Sequence, residues 1–221
     1  MDAKGKERYE PVKCIVISPP EKVEKEIDFI KVLVEEGLEY YHLRKPGMPE
    51  KELESFIQKI PGNCRDKIIL HDHYKLVPGY ELKGIHITDK SKSKGIEKQY
   101  KNYHISISTH SLKELSGLKP LYNYAFLSPV FKSISKANYE SPFQLNEIKT
   151  YLEQNPPGNK VIALGGIHKN NIKQVLETGF DGFAILGGLW NEVSTNNNLR
   201  EGINLYRTIQ EQLQNHNFKN G

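Results

Sequence analysis

Two short apolar runs late in this chain, each stopped by a pair of glycines, constrain its fold more than any other feature. Val161–Leu164 is followed at once by Gly165–Gly166, and Gly182–Leu186 is followed by Gly187–Gly188. An apolar run of four or five residues that ends in glycine is typical of a buried strand that meets a tight turn. Because the residues between the two runs have helical spacing, the pattern predicts two parallel strands joined by a helix.

The same strand-and-helix unit recurs along the chain. Residues 23–36 carry apolar side chains at helical spacing, and Ser111 to Glu114 fits a capping box at a helix start. Such alternation predicts parallel βα units, which either close into a barrel or form an open doubly wound sheet. The glycine pairs favour a single TIM (βα)8 barrel over 12–213, between a loose leader (1–11) and a polar tail (214–221). The predicted strands are 13–17, 40–44, 67–70, 84–88, 104–109, 124–128, 161–164 and 182–186.

Charge and composition argue against several classes of function. The net charge is +4, but acidic and basic residues are interleaved, and no basic stripe predicts nucleic-acid binding. No apolar run approaches the ~20 residues that span a bilayer, so no membrane association is expected. Cys14 and Cys64 are far apart and are interpreted as reduced thiols, and the polar start lacks an apolar export signal. We therefore expect a cytoplasmic protein.

The glycine turns predict a phosphate site. Backbone amides with no side chain in the way bind phosphate oxygens well, particularly at the start of a helix. In eight-stranded α/β barrels, the loops after strands 7 and 8 commonly hold a phosphate in this way. Either pair alone serves equally well as a simple tight turn. Both pairs at one end of consecutive strands favour phosphate binding by Gly165, Gly166, Gly187 and Gly188.

Polar side chains occupy one face of three predicted strands. Ser106, Ser108 and His110 alternate with isoleucines, and His42 and His86 lie on the corresponding face of their own strands. Because barrel interiors are usually filled by Val, Ile and Leu, a polar inner face needs a reason. The simplest reason is a solvated cup that holds a ligand, and the alternative is the wet face of an ordinary antiparallel sheet.

Charged residues at the strand ends extend this predicted cup. Arg44 suits a bidentate contact with phosphate or carboxylate, or else a structural salt bridge. Asp72, between His71 and His73, is a candidate oxygen ligand for Mg²⁺, which prefers carboxylate and phosphate oxygens. Lys136, in the long loop after the sixth strand, is either a solvated lysine or a substrate ligand.

The order and spacing of these residues resemble the thiamine phosphate synthase/TenI family of (βα)8 barrels. The similarity extends from about Lys13 to Leu213. No single motif is specific, but their order along the chain is. The motifs are HLR at 42–44, the Asp of HDH at 72, GIH at 84–86, SxSTHS at 106–111, LSPVFxSxSK at 127–136, ALGGI at 163–167 and GFDGFAILGGLW at 179–190.

The resemblance implies a transferase of thiamine biosynthesis that joins hydroxymethylpyrimidine diphosphate to thiazole phosphate and releases pyrophosphate. It implies that Gly166, Gly187 and Gly188 contact the thiazole phosphate and that Asp72 binds Mg²⁺. The residues expected around the pyrimidine diphosphate are Arg44, Ser108, Ser133, Ser135 and Lys136. The candidate catalytic residues are Arg44, Ser108, His110 and Lys136, and the further candidate substrate-binding residues are His42, His71, His86, Ser133 and Ser135.

The chain also departs from the synthase pattern. The synthases have Gln, Lys, Asn and a second Mg²⁺ carboxylate where this chain has His42, Pro46, His71 and Ser91. TenI-type tautomerases aromatise a thiazole carboxylate phosphate without pyrophosphate or an essential metal. They share the His before Leu-Arg and lack the second carboxylate, and His110 is suited to moving a proton near neutral pH.

Three interpretations therefore remain open at this point. The synthase activity, with Mg²⁺, is the first, and the tautomerase, with no cofactor, is the second. The third is a non-catalytic protein that binds thiazole or thiamine phosphate. In each case the expected partners are small phosphorylated thiazole or pyrimidine compounds, and the resemblance also implies a homodimer.

Overall fold

In the computed structural model, which describes residues 14–132, 143–155, 158–196 and 199–220, eight parallel strands close into one barrel. The strands follow each other in sequence order, and β8 pairs with β1 to complete the ring. This confirms the predicted (βα)8 barrel. The strands are β1 (Cys14–Ile17), β2 (Tyr40–Leu43), β3 (Ile68–Leu70), β4 (Gly84–Ile87), β5 (His104–Thr109), β6 (Tyr124–Leu127), β7 (Lys160–Leu164) and β8 (Gly182–Ile185).

Helices of very different length connect the strands. After β4, two short 3₁₀ turns, Lys92–Lys94 and Ile96–Lys98, stand where a helix would be expected. The predicted capping box is confirmed, because the Ser111 hydroxyl accepts a hydrogen bond from the amide of Glu114 at 3.1 Å. The α-helices are α1 (Glu26–Glu35), α2 (Glu50–Lys59), α3 (Gly62–Arg65), α4 (Leu76–Gly79), α5 (Leu112–Ser116), α6 (Leu145–Gln154), α7 (Ile172–Glu177), α8 (Gly187–Asn196) and α9 (Leu199–Asn220).

The closing helix α9 is longer than the sequence suggested. Tyr206, Ile209 and Leu213 bury its apolar face against the barrel, and the helix then continues to Asn220 through the segment expected as a polar tail. A helix is held by backbone hydrogen bonds, which polar side chains do not interrupt. The helix can therefore continue beyond the last residue of its apolar pattern. The predicted leader lies outside the described residues.

Two layers of apolar side chains hold the barrel together. Residues that point outward from the strands, such as Val16 and Phe183, pack against the helices. The barrel interior holds a smaller cluster: Ile15, Ile17, Ile69, Tyr124, Phe126, Ile162 and Ala184. Within the described ranges, no helix combines the length and apolarity needed to cross a membrane.

Helix α8 is fixed to the first strand by a buried tryptophan. The indole N–H of Trp190 donates to the carbonyl of Ile17 at 2.8 Å, and its ring meets the edge of Phe29 at 5.0 Å. These contacts set the start of α8 at the carboxyl ends of the strands, where the ligands of α/β barrels bind.

Candidate active site

The glycine turns after β7 and β8 touch each other, as the sequence predicted. Gly165 and Gly166 have φ of +100° and +65°, a region that L side chains rarely adopt. A Cβ on Gly166 would lie 2.4 Å from the carbonyl oxygen of Lys132, and one on Gly188 would lie 2.4 Å from that of Ile167. Only glycine therefore allows the loops after β6, β7 and β8 to approach so closely.

Hydrogen bonds fix the shape of the turn after β7. The Asn171 side chain accepts from the amide of His168 and donates to the carbonyl of Gly166, both at 2.9 Å. Gly187–Gly188 forms the first turn of α8, where backbone amides have no acceptor within the helix. This arrangement, a rigid turn beside unpaired amides of a helix start, is chemically suited to an anion. That it holds a phosphate stays a prediction.

Arg44 and Asp72 are exposed at the same end of the barrel, immediately after β2 and β3. The Ser18 hydroxyl holds the backbone of Arg44 in place, accepting from its N–H at 2.8 Å and donating to its carbonyl at 2.9 Å. The Arg44 guanidinium helps to lower the pKa of both His71 and His86, although burial is the larger cause. The positive charge of Arg44 therefore disfavours protonation of these two histidines in the barrel interior.

The floor of the cup is a buried layer of imidazoles rather than the solvated face expected from the sequence. His42 is 0% and His71 4% exposed, and Nδ1 of His42 lies 2.8 Å from Nε2 of His71. The other ring nitrogen of His42 lies 2.5 Å from the hydroxyl of Tyr124. The expectation of a wet inner face is wrong because these polar groups satisfy one another. Burial lowers the pKa of His42 and His71 well below the usual value, so both rings are neutral near pH 7.

His86 is held in the same layer by two serines of β5. Its Nδ1 lies 2.8 Å from the hydroxyl of Ser106, and its Nε2 lies 2.8 Å from that of Ser108. Burial lowers the pKa of His86 to about 3. The predicted candidates His42, His71, His86 and Ser108 thus come together, but His42 and His86 lie beneath the surface of the cup. Of the three histidines, only His71 neighbours an exposed strand end.

His110 lies on the rim, and acceptors flank both of its ring nitrogens. Nδ1 is 2.9 Å from the carbonyl oxygen of Ser128, and Nε2 is 2.9 Å from a carboxylate oxygen of Asp89. Burial raises the pKa of Asp89, but hydrogen bonds from Lys92 and His110 outweigh it and leave the pKa below its usual value. A carboxylate that orients an imidazole in this way is a common arrangement for proton transfer.

One departure from the synthase pattern, Ser91, and the lysine beside another departure, Pro46, take clear structural roles. Ser91, which replaces a carboxylate, is buried, and its hydroxyl accepts from the amide of Thr88 at 2.9 Å. Lys45, the lysine nearest in sequence to the missing one, is 5% exposed and pairs with Glu26 at 2.5 Å. Its ammonium group also donates to the carbonyls of Pro19 and Glu21, both at 2.8 Å. All three ammonium protons are therefore used, and Lys45 is not available to a pyrophosphate.

The donors at this end of the barrel fit a Mg²⁺ ion only if the substrate supplies most of its ligands. Asp72 offers one exposed carboxylate, whereas Asp89 is bound to Lys92 and His110. One carboxylate plus phosphate oxygens is an accepted Mg²⁺ site. The three predicted residues of the overhanging loop, Ser133, Ser135 and Lys136, lie outside the described residues.

Sequence reasoning missed Tyr124, Lys45 and Glu26. Tyr124 shares the inner face of β6 with Phe126, and the alternation of inward and outward residues along this strand was the available signal. The pairing of Glu26 with Lys45 joins residues that lie 19 positions apart, and no local pattern indicates it.

Comparisons with known proteins agree with this geometry. A family model described as thiamine monophosphate synthase matches residues 14–189. A thiamine phosphate pyrophosphorylase structure from Bacteroides thetaiotaomicron is 30% identical, with a TM-score of 0.77, over 92% of this chain and 98% of that one. A thiamine-phosphate synthase from Dictyoglomus turgidum is 27% identical over 70% of this chain and 71% of its own. The thiamine phosphate pyrophosphorylase structure from Pyrococcus furiosus, 19% identical with a TM-score of 0.74 over 92% of this chain and 98% of that one, shares the fold.

Proposed function

The chain belongs to the thiamine monophosphate synthase family, and on that premise we propose that it joins hydroxymethylpyrimidine diphosphate to thiazole phosphate. It is an enzyme of thiamine biosynthesis, and its reaction class is that of a transferase. The observation that carries the proposal is the contact between the glycine turns after β7 and β8. They offer backbone amides to the thiazole phosphate at the end of the barrel where Arg44 and Asp72 are exposed.

The roles of the individual residues follow from their positions. The Gly166 and Gly188 turns bind and orient the thiazole phosphate, and Arg44 binds the diphosphate of the other substrate. Asp72 would hold Mg²⁺ together with that diphosphate, and the ion would supply positive charge to stabilise the leaving pyrophosphate. The buried floor of the cup limits the access of water to the pyrimidine carbon that is attacked.

Mg²⁺-dependent release of pyrophosphate, coupled to formation of thiamine phosphate, tests the synthase. Asp72→Ala should abolish the release, because Asp89, the described carboxylate of the same rim discussed above, is paired with Lys92 and His110. Asp28→Ala, which removes an exposed carboxylate of α1, is the matched control and should leave the rate unchanged. Equal rates in the Asp72 variant and the wild type would show that Asp72 takes no part in the reaction.

A second candidate, the thiazole tautomerase, is favoured by specific contacts. Ser91 is bound to Thr88 where a metal carboxylate would be needed, and Lys45 is bound to Glu26. His110 on the rim, whose Nε2 lies beside the Asp89 carboxylate, is the candidate group for proton transfer in that reaction.

Three measurements separate the two enzymes and the non-catalytic alternative. Aromatisation of thiazole carboxylate phosphate that persists in EDTA and is lost in His110→Ala would identify the tautomerase. Thiamine phosphate formation that EDTA abolishes identifies the synthase. Binding of thiazole phosphate with neither product would identify a binding protein and contradict the proposed activity.

A further inference from the structure

The end of strand β1 is joined to both halves of the proposed anion site. Ile17 is the last residue of β1, and its carbonyl accepts a hydrogen bond from the indole of Trp190 in α8. The next residue, Ser18, is 0% exposed, and its hydroxyl is bonded to both polar backbone groups of Arg44. Two consecutive residues therefore connect the helix that begins at Gly187–Gly188 with the residue that carries the candidate guanidinium.

The hydrogen bonds between β1 and β2 explain why a hydroxyl is needed at position 18. The last ladder bond runs from the amide of Ser18 to the carbonyl of His42 at 2.9 Å. A strand offers donors to one neighbour at every second residue, so the next donor would be the amide of residue 20 and its acceptor the carbonyl of Arg44. Residue 20 is a proline, which has no N–H. The Ser18 hydroxyl supplies the missing donor at 2.9 Å and also accepts from the Arg44 amide at 2.8 Å.

A buried lysine holds the residue after Arg44 in the same turn. The ammonium group of Lys45 donates to the carbonyls of Pro19 and Glu21, both at 2.8 Å, and to the carboxylate of Glu26. The backbone of Arg44 is thus attached to the end of β1 by its own polar groups and by the next side chain. The Arg44 side chain itself is exposed, so it is available to a ligand.

We propose that Ser18 is a positioning residue, which fixes the backbone of Arg44 so that the guanidinium meets the diphosphate while the thiazole phosphate occupies the glycine turns. The inference rests on the proposed function, because it requires Arg44 to bind the diphosphate. It adds a buried residue that acts on the reaction without contacting either substrate. A bidentate contact between a guanidinium and a phosphate depends on orientation, so the root of the side chain has to be fixed.

Removal of the hydroxyl should affect one ligand and not the other. In Ser18→Ala, the N–H and the carbonyl of Arg44 both lose their partner, and the backbone should shift to find new ones. Since a misplacement of about 1 Å is costly at a binding group, the affinity for inorganic pyrophosphate should fall by about 10- to 10²-fold. The glycine turns after β7 and β8 make no hydrogen bond with Ser18, so the affinity for thiazole phosphate should be unchanged.

Isothermal titration calorimetry of the full chain with pyrophosphate and Mg²⁺, and separately with thiazole phosphate, measures both affinities. The proteins compared are the wild type, Ser18→Ala, Arg44→Ala and the double variant. If Ser18 acts through the guanidinium, its removal should have no further effect on pyrophosphate binding once Arg44 is alanine. In turnover, the loss should appear in the constants for the pyrimidine diphosphate, with the KM for thiazole phosphate unchanged.

Two controls separate positioning from folding. Trp190 is the single tryptophan of the chain, and its indole is bonded to the residue before Ser18. Its fluorescence emission therefore reports whether the end of β1 is intact, and it should be unchanged in Ser18→Ala. Thr178→Val is the matched variant, because it removes another buried hydroxyl, which donates to the carbonyl of Gln174 at 2.7 Å at the end of α7. It should keep both affinities.

Equal losses for the two ligands, a shifted Trp190 emission, or losses that multiply in the double variant would each overturn the inference and assign Ser18 a structural role. A wild type that does not bind pyrophosphate would also overturn it. A wild type that binds both ligands but forms no thiamine phosphate would refute the proposed function alone, and the comparison of variants by calorimetry would still decide the role of Ser18.

Discussion

Acid should destabilise this protein more than its carboxylates alone would, because three buried histidines and one partly buried histidine are neutral rings in the folded state. Burial is the largest cause that lowers the pKa of His42, His71, His86 and His104, the last two to about 3. In the unfolded chain each ring returns to a pKa of about 6.5. The unfolded state therefore binds more protons below pH 6.5, and the stability present above that pH is lost as the pH falls.

The size of the effect follows from the number of rings. At pH 5.5, one unit below the unfolded pKa, each ring that stays neutral in the folded state lowers the free energy of unfolding by about 1.4 kcal/mol. The four together cost about 6 kcal/mol, which is comparable with the 5–15 kcal/mol total stability of ordinary domains. At pH 7.5 the cost is close to zero.

Urea unfolding followed by circular dichroism at pH 7.5 and 5.5 measures this difference directly. His104 lies between the rings of Tyr40 and Tyr124, at 4.8 and 5.1 Å, and its Nδ1 is buried without a partner. His104→Phe should therefore reduce the pH difference by about 1.4 kcal/mol. Tyr40→Phe, in the same layer, has no group that titrates between these pH values and is the control. A wild-type difference below about 2 kcal/mol would refute the reasoning.

Two further predictions concern the glycine turn and the buried ion pair. Gly188→Ala should lower the free energy of unfolding by about 1–3 kcal/mol and weaken the binding of thiazole phosphate, because the alanine Cβ would collide with the backbone of Ile167. Gly187→Ala, whose Cβ would find its nearest neighbour at 3.8 Å, should fold normally, and equal losses in the two variants by urea unfolding would contradict this account. Lys45→Met should cost about 3–5 kcal/mol at pH 8. Burial already raises the pKa of Glu26, so the loss should be smaller at pH 5, because protonation of Glu26 removes the unpaired buried charge as the pH falls; a pH-independent loss would contradict this.

The sequence predicted the barrel and the position of its glycine turns because both depend on local patterns. Apolar runs of four to six residues, helical spacing between them and glycine pairs at their ends repeat along the chain, and each is visible within about 15 residues. The motif order also indicated the family, which the comparisons confirmed. The extension of α9 to Asn220 differed from expectation, because element ends depend on packing as much as on pattern.

Alternation along β2, β4 and β5 determined that His42, His86, Ser106 and Ser108 share the barrel interior. It did not determine whether these side chains would form hydrogen bonds with water or with other protein groups. Only the closed barrel brings Tyr124 to His42 across 82 positions of sequence, and that contact gives His42 a protein partner where the sequence predicted water. The physical reason is that strand periodicity fixes the direction of a side chain, whereas its partner is fixed by which strands the closed sheet places opposite each other.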